Sequence, residues 1–166
     1  MANKLKVSVF WFRRDLRLED NHGLSEALKS PYPVLPIFIF DTKIVDVLEN
    51  DDARISFIHQ ELTAINSILK KHDSGVFTTK DSPQQAWQNL LDKYEIKSVY
   101  FNEDYEPYAT SRDRQITSML QKSGIEVQII QDHVIFAKNE ILKGNQTPYT
   151  MYTPVSYTHL TLPTTD

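Results

Sequence analysis

The residues best suited to ligand chemistry lie in a charged segment that directly follows an apolar run. Residues 6–12 are mostly β-branched or aromatic, and Arg13, Arg14, Asp15 and Arg17 come immediately after them. This pattern is typical of a buried parallel strand that enters a loop at the edge of an open α/β sheet, where ligands bind. A simpler interpretation is that the charges form solvated ion pairs that fix the loop.

A second set of polar residues follows another apolar run at 98–102. Asn102, Asp104 and Glu106 alternate along the chain there, so their side chains could point into the crevice at the carboxyl edge of the sheet. Glu106 could instead stabilise the amino terminus of the helix that Pro107 begins, through the helix dipole. Asp104 is less easily explained as a helix cap.

Arg54 lies near the start of an amphipathic helix predicted over about 52–71. It could pair with a carboxylate of the preceding acidic loop, or it could face a ligand. Trp11, Phe38 and Phe40 lie near the ends of predicted strands, where they could border a ligand pocket. Each of these aromatic residues is more often simply part of the core.

The elements that must position these residues alternate along the whole chain. Strands are predicted at 6–12, 34–40, 75–79, 98–102 and 126–131, with helices that begin after Asn21, near Asp52, after Ser82 and at Pro107. Such alternation requires crossover helices that cover both faces of a parallel sheet. We therefore predict an α/β fold, a Rossmann-like five-stranded parallel sheet with helices on both faces.

The sequence lacks the residues that several kinds of binding and catalysis require. None of the four glycines forms the Gly-rich turn that cradles a pyrophosphate or triphosphate. There is no cysteine, and the five histidines are scattered, so neither a thiolate nor a metal site is expected. The serines lack a nucleophile-elbow sequence. The sequence thus predicts no catalytic residue of these classes.

Length and charge restrict the function further. A chain of 166 residues that is 40% hydrophobic suffices for one core. Its 18 basic and 22 acidic side chains give a net charge of −4, which disfavours tight binding to DNA phosphates by this chain alone. No apolar run approaches the ~20 residues of a membrane span, and no secretory signal is recognisable, so we expect a cytoplasmic protein with no membrane contact.

Three sequence segments resemble the DNA photolyase and cryptochrome family. The first reads Trp-Phe-Arg-Arg-Asp-Leu-Arg-Leu at 11–18 and continues with Asp20 and Asn21. The second is Tyr-Phe-Asn-Glu-Asp-Tyr-Glu-Pro-Tyr at 100–108, followed by an Arg-Asp pair, and the third lies at 148–154. Their order and spacing are similar to those of the family's amino-terminal α/β domain, over residues 5 to about 154.

The resemblance implies that this domain binds an antenna chromophore. Members with a deazaflavin or flavin antenna use an arginine and two acids that match Arg54, Asp104 and Glu106. Members with a folate antenna use an Asn-Glu pair where this chain has Tyr108 and Ala109. We therefore expect deazaflavin or FMN in preference to folate, or a domain that binds no antenna at all, and no metal.

The resemblance also implies a division of the chain. We expect the α/β domain over 1–132, the start of an interdomain linker over 133–154, and a disordered, non-native tail over 155–166. The family's FAD-binding helical domain would follow and is expected to be missing here. Without it the fragment is not expected to repair DNA, which it would meet only through that domain. Arg13, Arg14, Asp15 and Arg17 would lie near the junction and contact the helical domain.

Alternatives to the photolyase interpretation stay open at this stage. The parent protein could be a cryptochrome-type blue-light photoreceptor, in which the domain serves signalling. The chain could also be an unrelated small α/β nucleotide-binding or interaction domain that shares only the architecture. If the parent is a photolyase, it is an enzyme that uses light to repair ultraviolet-induced pyrimidine dimers.

Overall fold

A computed structural model describes residues 4–49, 51–136 and 140–151. The chain divides into two compact units, Met1–His133 and Val134–Asp166. The elements of the first unit are β1 (Lys6–Phe12), α1 (His22–Leu28), β2 (Val34–Asp41), α2 (Thr42–Val45), α3 (Ala53–Leu69), a 3₁₀ turn (Lys70–His72), β3 (Phe77–Asp81), α4 (Pro83–Lys93), β4 (Glu95–Asn102), α5 (Pro107–Lys122) and β5 (Glu126–Ile130).

The five strands form one parallel sheet in the order β3-β2-β1-β4-β5. The predicted α/β fold is therefore confirmed. Strand β1 pairs with both β2 and β4, so that Trp11 lies opposite Ile37 and Phe10 lies opposite Tyr100. The strand order reverses between β1 and β4, and the crevice at such a switch point is where open α/β sheets bind ligands.

Alternation along β1 sends its side chains to two cores, one on each face of the sheet. Val7, Val9 and Trp11 pack on the face covered by α4 and α5. Phe10 and Phe12 pack on the face covered by α1 and α3. Burial of each large apolar side chain contributes about 1.5–3 kcal/mol, so the sheet is stabilised from both sides.

Side chains cap α1, α3 and α4 close to the positions where the sequence predicts these helices to begin. Asn21 Oδ1 accepts from the Leu24 backbone N–H at 3.1 Å and begins α1. Ser82 Oγ accepts from the backbone of α4, which starts at Pro83. Asp52 Oδ1 accepts from the Arg54 backbone N–H at 2.9 Å and begins α3. Each cap satisfies an otherwise unpaired backbone donor.

Strand β3 begins two residues later than the predicted 75–79. The Val76 N–H donates to Asn66 Oδ1 at 2.8 Å, which holds this segment against the end of α3 and outside the sheet. Pairing with β2 then starts at Phe77, opposite Ile37. The sequence predicts only an acidic loop where the short helix α2 lies; Asp41, the last residue of β2, caps this helix through the Lys43 N–H at 3.0 Å.

The second unit is described by its own local contacts. Leu142 and Pro148 form an isolated antiparallel bridge, and the Lys143 N–H donates to the Thr147 carbonyl at 2.9 Å. Gln146 closes this turn with a φ of 62°. The linker over 133–154 stays a prediction, and the predicted tail over 155–166 lies outside the described residues. No helix in the described part of the chain is long and apolar enough to cross a membrane.

Candidate functional site

A cavity of about 720 Å³ lies at the carboxyl edge of the sheet, within the first unit. Its wall comes from the end of β1 and the loop that follows, from the end of β2, from α2, from the first turns of α3 and from the segment that leads into α5. Small-molecule sites typically occupy about 300–1,000 Å³, so one drug-sized or cofactor-sized ring system fits here.

All six residues predicted to bind a chromophore line this single cavity: Trp11, Phe38, Phe40, Arg54, Asp104 and Glu106. They come from four segments that are distant in sequence. The four residues predicted to contact another domain, Arg13, Arg14, Asp15 and Arg17, also reach the cavity wall. The structure thus shows where these residues lie, and chromophore binding by them stays a prediction.

The apolar part of the wall combines strand and helix side chains. Phe38 and Phe40 meet edge to face at the end of β2, with their ring centroids 4.9 Å apart. Ile44 of α2 and Phe57 of α3 complete this side, although they are 45% and 61% exposed. Large apolar side chains that stay exposed around a concave site indicate a surface that another apolar group can cover.

Trp11 belongs to the core and to the cavity at the same time. It is only 2% exposed, and its ring contacts those of Trp87 and Phe101 in edge-to-face geometry at 5.6 Å. The Arg112 guanidinium lies 5.0 Å from the ring centroid of Trp11. Both sequence-based interpretations of Trp11 therefore describe part of its environment.

Ion pairs occupy one side of the cavity rim. Arg14 Nη2 donates to Glu106 Oε1 at 2.8 Å, and Arg14 Nη1 lies 3.7 Å from Asp104 Oδ1. The bond to Glu106 raises the pKa of Arg14. Glu106 stands at the cap position of α5 but makes no side-chain hydrogen bond to the helix. Its carboxylate pairs with an arginine, and it also stands where a negative charge interacts favourably with the helix dipole, so both interpretations of Glu106 stay open.

Arg54 both lines the cavity and pairs with the acid before it. Its guanidinium donates to Asp52 through Nε at 2.9 Å and through Nη2 at 2.6 Å. Hydrogen bonds from the Arg54 side chain and backbone lower the pKa of Asp52 to about 2. The Arg54 side chain is 70% exposed, so a ligand could take over this pairing at small cost.

A buried hydrogen-bond network fixes the loop after β1. Asn102 Nδ2 donates to Asp15 Oδ2 at 2.6 Å and to Asn21 Oδ1 at 2.9 Å. Asn102 Oδ1 accepts from the Gly23 N–H at 2.9 Å. Asn102 is 1% exposed and does not line the cavity, so the expectation that it points into the crevice is wrong. Its amide joins β4 to the loop and to α1.

A second buried cluster links the loop to α5. Arg13 forms an ion pair with Asp113, and burial lowers the pKa of Arg13 despite this partner. Arg112 Nε donates to the other oxygen of Asp113 at 2.9 Å. The side chains of all three residues are at most 10% exposed. One carboxylate therefore serves two arginines inside the domain.

The four residues predicted to contact another domain divide into two kinds. Arg13 and Asp15 are buried, and their charges are paired or hydrogen-bonded within this unit. Arg14 and Arg17 are 54% and 38% exposed, and Arg17 Nη2 lies 2.6 Å from Asp132 Oδ2. Their contact with a helical domain stays a prediction. The two exposed arginines are better placed for such a contact than the two buried residues.

Tyr108 is a cavity residue that the sequence did not indicate as a flavin contact. Its hydroxyl donates to Asp41 Oδ2 at 2.6 Å, which connects α5 to the end of β2. Burial and this hydrogen bond raise the pKa of Tyr108 to about 12.

Arg112 was also missed, although the sequence held a signal for it. An Arg-Asp pair interrupts the apolar stripe that Ala109, Ile116 and Leu120 form on α5. A charge at such a position must find a buried partner or face a cavity.

Within the described residues no group of three or more His, Cys, Asp or Glu side chains could hold a metal ion.

Comparison with known proteins gives consistent matches. The DNA photolyase family model matches residues 8–165. A deoxyribodipyrimidine photo-lyase from Synechococcus sp. is 30% identical over 146 residues, which are 88% of this chain and 30% of that protein. Cryptochrome-2 from Gallus gallus is 31% identical over 145 residues, which are 86% of this chain and 25% of that protein.

Solved structures of photolyases share the fold of this chain. A class III photolyase from Agrobacterium tumefaciens shares the fold with a TM-score of 0.79 at 24% identity, over 93% of this chain and 31% of that one. An archaeal photolyase from Sulfolobus tokodaii gives a TM-score of 0.71 at 30% identity, over 81% of this chain and 32% of that one. The Sulfolobus structure contains two FAD molecules and is described as implying a novel light-harvesting cofactor.

The chain spans about a third or less of each of these relatives. The match over nearly the whole chain excludes the alternative of an unrelated α/β domain. Both photolyases and cryptochromes occur among the relatives. The chain belongs to the DNA photolyase family and corresponds to its amino-terminal α/β domain.

Proposed function

We propose that this domain binds a planar antenna chromophore, a deazaflavin or FMN, in the cavity at the carboxyl edge of the sheet. One observation carries the proposal: Arg54, Asp104, Glu106 and three aromatic residues, drawn from four segments, line a single cavity of about 720 Å³. The apolar wall suits a flat ring, and the charged rim suits a polar or anionic side chain. The chromophore would absorb light and pass excitation to a flavin elsewhere in the whole protein.

The distribution of charge supports a ligand that is apolar at one end and anionic at the other. Phe38, Phe40 and Phe57 offer an apolar surface, whereas Arg14 and Arg54 stand at the rim with at least half of their side chains exposed. Arginine forks are well suited to phosphate oxygens. FMN has both features, and the two FAD molecules in the Sulfolobus relative favour a flavin as well. Tyr108 and Ala109 still disfavour a folate.

For the whole protein we propose light-driven repair of pyrimidine dimers in DNA, with FAD held by a helical domain outside this chain. Base-flipping enzymes of this kind extrude the damaged bases into a pocket. DNA would be contacted through that helical domain. A cryptochrome-type photoreceptor is the second candidate, because cryptochromes match the same region at 31% and 28% identity, beside 30% for the Synechococcus photolyase. Repair of a dimer-containing oligonucleotide by the whole protein under blue light would separate the two.

Binding to the isolated chain is tested by titration with FMN, a deazaflavin and a folate, followed by flavin or deazaflavin fluorescence and by absorption. We expect one equivalent of FMN or deazaflavin to bind, with affinity reduced in Arg54→Ala and in Asp104→Ala. Arg114→Ala is the matched control, because Arg114 is exposed on α5 and does not line the cavity. Absence of binding by all three chromophores would overturn the antenna proposal.

A further inference from the structure

Two arginines lie against the indole ring of Trp11, which reaches the cavity. The guanidinium groups of Arg112 and Arg13 are 5.0 and 5.3 Å from the ring centroid. The side chains of both arginines are at most 9% exposed. A single carboxylate, that of Asp113, forms an ion pair with both of them, so it neutralises only one of the two positive charges. The ring therefore lies beside a buried excess of positive charge.

Asp15 is another acid close to this group, and its carboxylate is bound elsewhere. It accepts from the Arg13 backbone N–H at 2.8 Å and from Asn102 Nδ2 at 2.6 Å. Burial has the largest influence on the pKa of Arg13, which it lowers, and the charge of Asp15 has the smallest. Asp15 therefore fixes the loop after β1 and leaves the positive charge beside Trp11 largely in place.

This positive charge determines how readily the Trp11 ring gives up an electron. A cation over the face of a neutral indole is attracted by the electron-rich ring. The same cation repels the positive charge that the indole acquires when it loses an electron. Because Arg13 and Arg112 are buried, little water is present to screen the repulsion. The two arginines therefore make Trp11 a poor electron donor.

An electron-donating ring in the cavity wall would remove the excitation that an antenna must pass on. One electron would move from the indole to the excited chromophore, which oxidises the indole to a radical cation and reduces the chromophore by one electron. Return of that electron would restore both groups and release the excitation as heat. The chain has two tryptophans, and of these Trp11 lines the cavity whereas Trp87 does not. Trp11 is therefore the tryptophan whose oxidation must be prevented.

We propose that Arg13 and Arg112 suppress electron transfer from Trp11 to the excited chromophore in the cavity, and so preserve its excitation for energy transfer. The inference rests on the proposed function, since it requires that the cavity binds a flavin or a deazaflavin. The two arginines act through the ring of Trp11 and need no contact with the ligand. Trp87 and Phe101 hold that ring in place through their edge-to-face contacts.

The test measures the fluorescence lifetime of bound FMN. Tyr108 also lines the cavity and is a second electron donor, so every chain in this comparison carries Tyr108→Phe. Arg112→Gln removes one positive charge beside Trp11, whereas Arg112→Lys is the matched control that keeps it. We expect Arg112→Gln to shorten the lifetime at least about twofold and Arg112→Lys to leave it unchanged. Addition of Trp11→Phe to Arg112→Gln should restore the lifetime. Circular dichroism confirms that each variant is folded.

The outcomes separate this inference from the proposed function. An unchanged lifetime in Arg112→Gln would overturn the inference. A shortened lifetime that Trp11→Phe does not restore would also overturn it, because another group would then quench the flavin. A longer lifetime after Trp11→Phe alone would show that the arginines do not protect the excited state. In these three cases the antenna proposal would stand, whereas failure of the unmodified chain to bind any flavin would overturn both.

A second measurement needs no variant. Transient absorption after excitation of bound FMN distinguishes tryptophan radicals from tyrosine radicals by their different bands. We expect no tryptophan radical to form in the unmodified chain within the lifetime of the excited singlet state. Formation of a tryptophan radical in that time would contradict the inference even if Arg112→Gln failed to fold.

Discussion

The Tyr108 hydroxyl donates a 2.6 Å hydrogen bond to Asp41 Oδ2 and so connects the first turn of α5 to the carboxyl end of β2 beside the cavity. The two residues are 67 positions apart in the sequence. Asp41 is only 5% exposed, and its other oxygen accepts from the Lys43 backbone N–H. One carboxylate therefore fixes α2 and α5 on two sides of the same cavity.

The first prediction concerns the ionisation of Tyr108. Its pKa is raised to about 12, by burial first and by the bond to Asp41 second. In the unfolded chain the pKa would be about 10, so the protonated hydroxyl stabilises the fold below that value. This stabilisation is lost as pH rises from about 10 to about 12. Absorbance titration at the tyrosinate band should show a late step whose amplitude Tyr108→Phe lowers by one tyrosine.

Tyr105 is the internal comparison for that titration. Its pKa is also raised to about 12, by burial and by the hydrogen bond to Glu103. A late step with the amplitude of two tyrosines is therefore expected in the unmodified chain, and with the amplitude of one tyrosine in Tyr108→Phe or in Tyr105→Phe. Tyr108→Phe that titrates like the unmodified chain would contradict the assignment.

The second prediction concerns the close approach of α1 to β4. A Cβ added at Gly23 would overlap with the Asn102 side-chain amide oxygen, which already accepts from the Gly23 N–H. Gly23→Ala must displace this buried amide, so we expect a loss of about 1–3 kcal/mol in the free energy of unfolding. Urea denaturation measures the loss. Gly144→Ala is the matched control, because its Cβ would meet no atom within 4 Å.

The third prediction concerns the charge cluster around Asp113. Asp113→Asn leaves the buried Arg13 and Arg112 without the carboxylate that both of them contact. Breaking a buried ion pair by removing one partner typically costs about 3–5 kcal/mol. We expect a large drop in the urea midpoint, whereas Asp92→Asn on the exposed face of α4 should have little effect. An unchanged midpoint for Asp113→Asn would show that solvent replaces the carboxylate.

The fourth prediction concerns a substitution that fills the cavity without removing a charge. Ala109 lies in the cavity wall and is 4% exposed. Ala109→Leu adds apolar volume where a chromophore ring would lie, so flavin binding should fall by at least about tenfold, together with a loss of about 1–3 kcal/mol in the free energy of unfolding. Ala64→Leu on the exposed side of α3 is the control and should bind flavin normally. Full binding by Ala109→Leu would place the ligand elsewhere.

The fold was predictable because its signals are local and repeat along the chain. The alternation of apolar runs with capped helices indicates β1 and α4 at their observed starts, since a cap such as Ser82 or a proline such as Pro83 acts within a few residues. Strand β3 is predicted two residues too early, because its limits depend on pairing with β2 and on the bond from Val76 to Asn66. Neither contact is visible in a short window of sequence.

The site was only partly predictable for a related reason. Arg54 and Asp104 could be selected from their positions beside predicted elements and from the family resemblance. Arg112 and Tyr108 make contacts whose partners depend on how α5 packs, so sequence spacing alone does not place them at the cavity. The prediction that Asn102 points into the crevice is wrong because its amide donates to Asp15 and Asn21, which lie more than 80 residues away in the sequence.

The network around Asn102 has a consequence for how this domain can be redesigned. Asp15, Asn21 and Asn102 fix the loop after β1 to β4 and α1, and of these three residues only Asp15 also lines the cavity. Ile44 and Phe57, on α2 and near the start of α3, line the cavity and are exposed. Spectral tuning by exchange of Ile44 and Phe57 should therefore be possible without touching this network.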